Sequence, residues 1–169
     1  MNPLLKDIFT EAEHIVTKAN ATGLKIGTAE SCTGGLIGAA ITAIPGSSQC
    51  FQGGIIAYDN KIKQSQLSVP PNLIQSFGAV SPEVAVAMAS NCIDALGVDI
   101  AISVTGIAGP GGGSEDKPVG LVFIGIAIGS YVKTQRFEFG DIGRNKVRDQ
   151  TCHEALKILH SAVEALMKK

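Results

Sequence analysis

The chain has 169 residues, of which 45% are hydrophobic and 17% charged, with a formal net charge of −1. That is one domain's worth of chain, long enough to bury a core and too apolar to be disordered. The near-neutral charge argues against a nucleic-acid protein, and no apolar stretch approaches the ~20 residues that span a bilayer.

The first segment, "MNPLLKDIFTEAEHIVTKAN", places Leu5, Ile8, Phe9, Ala12, Ile15, Val16 and Ala19 at spacings of three and four. This predicts an amphipathic helix from residue 3 to about 20. Its acidic residues do not fit a signal peptide, so the expected location is the cytoplasm. "GLKIG" reads as a short strand, "TAESCTGG" as a turn, and Thr33 to about Ala43 as a second helix. After the turn "IPGSSQ", "CFQGGIIAY" reads as a buried strand whose glycine pair invites a bulge. "DNKIKQSQL" opens on a capping residue and reads as a helical turn; "VPPNLIQSFG" reads as a short Pro-started helix ended by Gly78. "SPEVAVAMASNCIDALG" is a helix with Ser81 as N-cap, Pro82 in its first turn and Gly97 past its end. "VDIAISVTG" and "VGLVFIGIAIG" are apolar runs rich in Val and Ile, hence strands, and "YVKTQRFEFG" pairs with the latter as a hairpin around Gly129-Ser130. From Asp141 to the end the chain reads as one long helix. Helices alternating with apolar strands predict an α/β fold, a three-layer α/β/α sandwich around a mixed, mostly parallel sheet, as a single domain over residues 1–169.

Cys32, Cys50, Cys92 and Cys152 are far apart with no CxxC pair, so reduced core thiols are expected. None of His14, His153 and His160 sits in a ligand spacing with another metal-binding residue, so no metal site is expected.

Three segments carry candidate chemistry. "GIAGPGGGSEDKPVG" runs through Gly106, Gly109, Gly111, Gly112 and Gly113 into a strand. It matches neither a dinucleotide fingerprint nor a Walker loop, so it is either a flexible connection or a nest of N–H groups that holds an anion such as a phosphate. In "TAESCTGG", Ser31 is either a nucleophile with helix amides as its oxyanion donors or an N-cap, and Thr33 is an equal capping candidate. Cys32 competes as a nucleophile, but nothing in the sequence brings a histidine to it. "AYDNKIK" offers Tyr58, Lys61 and Lys63; spacings of three and five exclude a Tyr-x-x-x-Lys pair. A lysine becomes a base when burial lowers its pKa, although most lysines are solvated surface charges. Arg144 and Arg148, four apart, share one helix face, either solvated or clamping a carboxylate or phosphate.

In order along the chain, "TAESCTGG", "FQGGIIAYDNKIK", "GAVSPEVA" and "VTGIAGPGGGSEDKPVG" resemble the CinA C-terminal domain family from about residue 5 to 165. Members of that family are nicotinamide-nucleotide amidohydrolases. The resemblance implies a stand-alone form, without the molybdopterin-binding-like domain of longer relatives. It implies hydrolysis of the carboxamide of nicotinamide mononucleotide to nicotinate mononucleotide and ammonia, with Ser31 as nucleophile. The family's Tyr-x-Asn-x-x-Lys pattern falls on Tyr58, Asn60 and Lys63, which makes Lys63 the base and Tyr58 its helper. Lys61 departs from the family pattern by adding a second positive charge, and "QSQLSV" departs from the usual "LGV" ending. On this reading the amides around Thr33, Gly34 and Gly35 stabilise the oxyanion. The backbone near Gly109, Gly111, Gly112 and Gly113 approaches the nucleotide, Thr105 and Gly106 form a wall, and Arg144 or Arg148 meets the phosphate. No cofactor, metal, nucleic acid or membrane is expected, and by analogy the assembly is a homodimer. The alternatives are a non-catalytic nucleotide-binding or regulatory module and an amidase for another small amide.

Overall fold

The apolar runs form five strands, and the computed structural model, which describes residues 3–167, gathers them into one sheet. In chain order the elements are α1 (Pro3–Thr22), β1 (Ile26–Glu30), α2 (Leu36–Thr42), a 3-10 turn (Ser47–Gln49), β2 (Phe51–Ile56), α3 (Asn60–Leu67), α4 (Pro71–Phe77), α5 (Pro82–Leu96), β3 (Ile100–Gly106), β4 (Leu121–Ile128), β5 (Tyr131–Glu138) and α6 (Arg144–Met167). The sheet order is β2-β1-β3-β4-β5. β1 runs parallel to β2 and β3, and β4 is antiparallel to both β3 and β5. Four strands therefore point one way and β4 the other, the mixed, mostly parallel sheet expected. Ile128 pairs with Tyr131 across Gly129-Ser130, as the hairpin reading required.

Two cores sandwich the sheet. On one face α1, α2 and α6 bury Ile15, Val16, Ile37, Ile41, Leu156 and Leu159 against Ile100, Ile102 and Ile124. On the other, α5 buries Val84, Met88 and Cys92 against Ala29 and Ala101, with Leu67 of α3 beside them. Each fully buried Val or Met contributes about 1.5–3 kcal/mol over an exposed one. Ser81 caps α5 by accepting from the Val84 N–H at 3.3 Å. Among the described residues no helix is long and apolar enough to cross a membrane.

Three expectations change. β2 is an edge strand with alternating burial, not a buried one, because only β1 flanks it. Its glycine pair does shift register, with Ile26 opposite Phe51 and Gly27 opposite Gly53. α2 begins at Leu36 and not at Thr33, because Gly34 and Gly35 adopt left-handed backbone (φ 63° and 98°) that no helix continues through. The histidines, set apart in sequence, are not all apart in space: α1–α6 packing gathers Glu11, His14 and His160 so that one ligand atom from each lies within 4.8 Å of the others.

Candidate active site

The largest of the fully buried side chains is a lysine. Lys63 is 1% exposed and lies in the first turns of α3, where Asp59 caps the helix by accepting from the Lys61 N–H at 2.7 Å. The helix start turns the Lys63 stem inward beneath the end of β2. Its Nζ lies 2.8 Å from the Ala57 carbonyl oxygen, 3.3 Å from that of Tyr58 and 3.1 Å from Ser31 Oγ. Burial holds the amine below its ordinary 10.5, while Asp59 and Cys32 pull the other way. Three acceptors suit an ammonium. A neutral amine can donate to the two carbonyls and accept the Ser31 hydroxyl proton on its lone pair.

Ser31 follows β1 directly. Its N–H donates to Val104 of β3 at 3.0 Å, and the Glu30 carbonyl accepts from the Ala57 N–H at 2.8 Å, so both neighbouring strands fix the turn. β1 lies between β2, reached through α2 on one face, and β3, reached through α3–α5 on the other. The crevice at the carboxyl ends of such strands is where open α/β sheets bind ligands. Here it is a cavity of about 200 Å³ whose wall includes Ser31, Lys63, Tyr58, Asn60, Thr105 and Arg144.

Glu30 is the residue that sequence reasoning missed. It is 1% exposed, and its carboxylate accepts from Thr33 Oγ1 at 2.8 Å and from the amides of Gly35 (2.9 Å), Ile37 (3.1 Å) and Gly38 (2.8 Å). The chain fills its own helix N-terminus with this anion. The Gly35 amide is thereby used, and that of Gly34 donates to Ser31 O at 3.1 Å. The expected oxyanion role of Gly34 and Gly35 is corrected accordingly. The amides of Cys32 and Thr33 donate to no other residue among those described. The Thr33 side chain points away from the cavity, to Glu30. An acidic residue closing an apolar strand just before a glycine turn was the available signal.

Other expected residues divide. Thr105 and Gly106 wall the cavity as expected, Thr105 Oγ1 being tied to Ala79 O at 2.7 Å. Tyr58 is 60% exposed and its hydroxyl accepts from Arg144 Nη2 at 2.8 Å, so its phenol does not assist Lys63; its carbonyl does. Arg144 lines the cavity and also donates to Gly109 O at 3.0 Å. Arg148 does not line it, and donates to Thr33 O at 2.9 Å. Gly109 adjoins the cavity through Arg144, whereas Gly111, Gly112 and Gly113 lie exposed outside its lining. Lys117 anchors this loop by donating to Val80 O at 2.7 Å and to Phe77 O. Lys61 is exposed and outside the lining. Cys32 lines the cavity, but burial pushes its thiol up to about 12, so it is a poor nucleophile.

Known proteins resemble this chain in sequence and fold. The model of the CinA C-terminal domain matches residues 9–163. A CinA-like protein of Leptospira borgpetersenii is 46% identical over 158 residues, covering 94% of this chain and 37% of its own length. The chain thus spans well under half the length of that curated relative. Among solved structures, the competence/damage inducible protein CihA of Agrobacterium tumefaciens is 42% identical with a TM-score of 0.91, covering 94% of this chain and 96% of its own. A CinA superfamily protein of Klebsiella pneumoniae is 27% identical with a TM-score of 0.88, covering 94% and 98%. This chain belongs to the CinA C-terminal domain family.

Proposed function

We propose that the chain is an amidohydrolase that converts nicotinamide mononucleotide to nicotinate mononucleotide and ammonia. The observation that carries this reading is the buried Lys63 amine at 3.1 Å from Ser31 Oγ, with a lowered pKa, at a crevice of the sheet. Neutral Lys63 takes the Ser31 proton as Oγ attacks the carboxamide carbon. The oxyanion meets the free amides of Cys32 and Thr33, each such donor being worth about 3–4 kcal/mol in comparable sites. The tetrahedral intermediate collapses as Lys63 returns the proton to the departing ammonia. Water, deprotonated by Lys63, then cleaves the acyl-enzyme and frees the carboxylate.

Arg144, at the cavity mouth, is the residue to meet the phosphate by exchanging Tyr58 for it; Arg148 is committed to Thr33. The enzyme is cytoplasmic and a homodimer on this reading, which sedimentation velocity tests. Ammonia release from the mononucleotide and from its phosphate-free nucleoside tests the substrate. Turnover of the first, with Arg144→Ala raising KM for it at least tenfold and leaving the nucleoside unaffected, supports the reading. Tight binding of the mononucleotide without any turnover would make the chain a nucleotide-binding module, and turnover only of other small amides would reassign the substrate.

A further inference from the structure

Helices α1 and α6 pack along one another, and their contact carries a cluster that the serine site does not use. His160 lies 16 residues beyond Arg144 on α6, about 24 Å along the helix axis from the cavity mouth. Glu11 and His14 are three apart on α1, so they share a helix face. The ring of His160 stands between them and Lys18. Its Nδ1 is 2.7 Å from Glu11 Oε2 and its Nε2 is 2.8 Å from Lys18 Nζ, while the ring centroids of His14 and His160 are 5.1 Å apart. Lys18 also pairs with Glu164. The imidazole of His14 makes no hydrogen bond among the described residues, and it is exposed.

We propose that Glu11, His14 and His160 form a binding site for a divalent transition metal of the zinc class. Two imidazoles and a carboxylate are the donor set such ions prefer, and a Glu-x-x-His pair on one helix with a ligand from its neighbour is a way helical proteins build metal sites. Their ligand atoms lie within 4.8 Å of one another, so small side-chain rotations bring all three to about 2.1 Å from one ion. The ion enters on the Nδ1 side of His160, in place of the hydrogen bond to Glu11. The ring then carries its proton on Nε2, and Glu164 Oε1, 3.6 Å away, is positioned to accept it. A carboxylate behind a ligating histidine fixes its tautomer and orientation. Lys18 gives up Nε2 and keeps its pairing with Glu164. Three protein ligands on a half-exposed surface leave a coordination position for water. The thiols do not compete for the ion: all four are buried, and burial pushes those of Cys32, Cys92 and Cys152 up to about 12. The bound ion ties the middle of α1 to the last turns of α6.

The test is calorimetric titration of tag-free protein with zinc chloride, with cobalt chloride followed by visible absorption. One equivalent of zinc should bind, cobalt should give ligand-field bands of a site with nitrogen ligands, and zinc should raise the melting temperature. His14→Ala and His160→Ala should each weaken binding at least tenfold and abolish the thermal shift. Because His14 is exposed, its variant folds whatever the fate of the other. Lys18→Met should tighten binding, and His153→Ala, two turns before His160 on α6 and beside Glu154, should leave it unchanged. Absence of saturable binding up to millimolar zinc, or equal weakening by His153→Ala and His14→Ala, would overturn the site.

Discussion

At the scale of single residues, two main-chain carbonyls and one hydroxyl surround an amine that water barely reaches. Desolvation is the largest influence on Lys63, and it lowers the pKa below 10.5. Only the neutral amine accepts the Ser31 proton. The kcat/KM for amide hydrolysis should therefore rise about tenfold per pH unit on the acid side of the lowered pKa and level off before pH 10.5. Lys63→Arg should lose both the activity and this limb, since a guanidinium keeps its proton throughout; a pH–rate profile of both proteins checks it. Stability follows the same sign. The contribution of Lys63 is fully present above the unfolded value of 10.5 and is lost as pH falls through the lower folded value. Urea titrations at several pH values should accordingly show Lys63→Gln gaining on wild type as the pH falls. Ser31 and Lys63 were legible because their residue types stand in a recognisable order. The direction of a side chain was not. Tyr58 sits in the right motif, yet its phenol points to Arg144. Glu30 was passed over because a carboxylate inside an apolar strand finds its partners only once α2 closes over it.

At the scale of elements, Glu30 joins the end of β1 to the start of α2, which no side chain of the cap residue Gly35 does. Removing it strands three amides and the hydroxyls of Thr28 and Thr33 without this acceptor. Glu30→Ala should destabilise the protein by roughly 3 kcal/mol or more, and Glu30→Gln, which keeps one acceptor oxygen, by less; chemical denaturation measures both. A second contact is also sensitive. Gly125 of β4 lets α5 lie close on the sheet, because a Cβ there would stand 2.6 Å from both Ala85 O and Ser103 Oγ. Gly125→Ala should cost about 1–3 kcal/mol by forcing α5 outward, seen as a lower melting temperature. Helices with strong punctuation were readable from sequence: Ser81, Pro82 and Gly97 bracket α5 as expected. The start of α2 and the edge position of β2 were not. The first depends on left-handed glycines, the second on strand order, and neither leaves a periodic trace.

At the scale of the whole molecule, function rests on where the chain reverses across the sheet. β1 is laid down first, β2 on one side of it and β3 on the other, so the ends of three strands and the first turns of α3 converge on one crevice. Residues 31, 63, 105 and 144 meet there although up to 113 positions separate them. Alternating helices and apolar strands announced the layers, and the order of short motifs announced the family. The convergence itself lies in the topology. So does the α1–α6 cluster, where Glu11 and His160 touch across 149 positions. The most direct test of the account is ammonia release from nicotinamide mononucleotide by wild type and by Ser31→Ala, with both proteins shown to be folded by circular dichroism. The account predicts turnover by wild type and none above background by Ser31→Ala, with Cys32→Ala within a few-fold of wild type. Equal turnover by wild type and Ser31→Ala would contradict it.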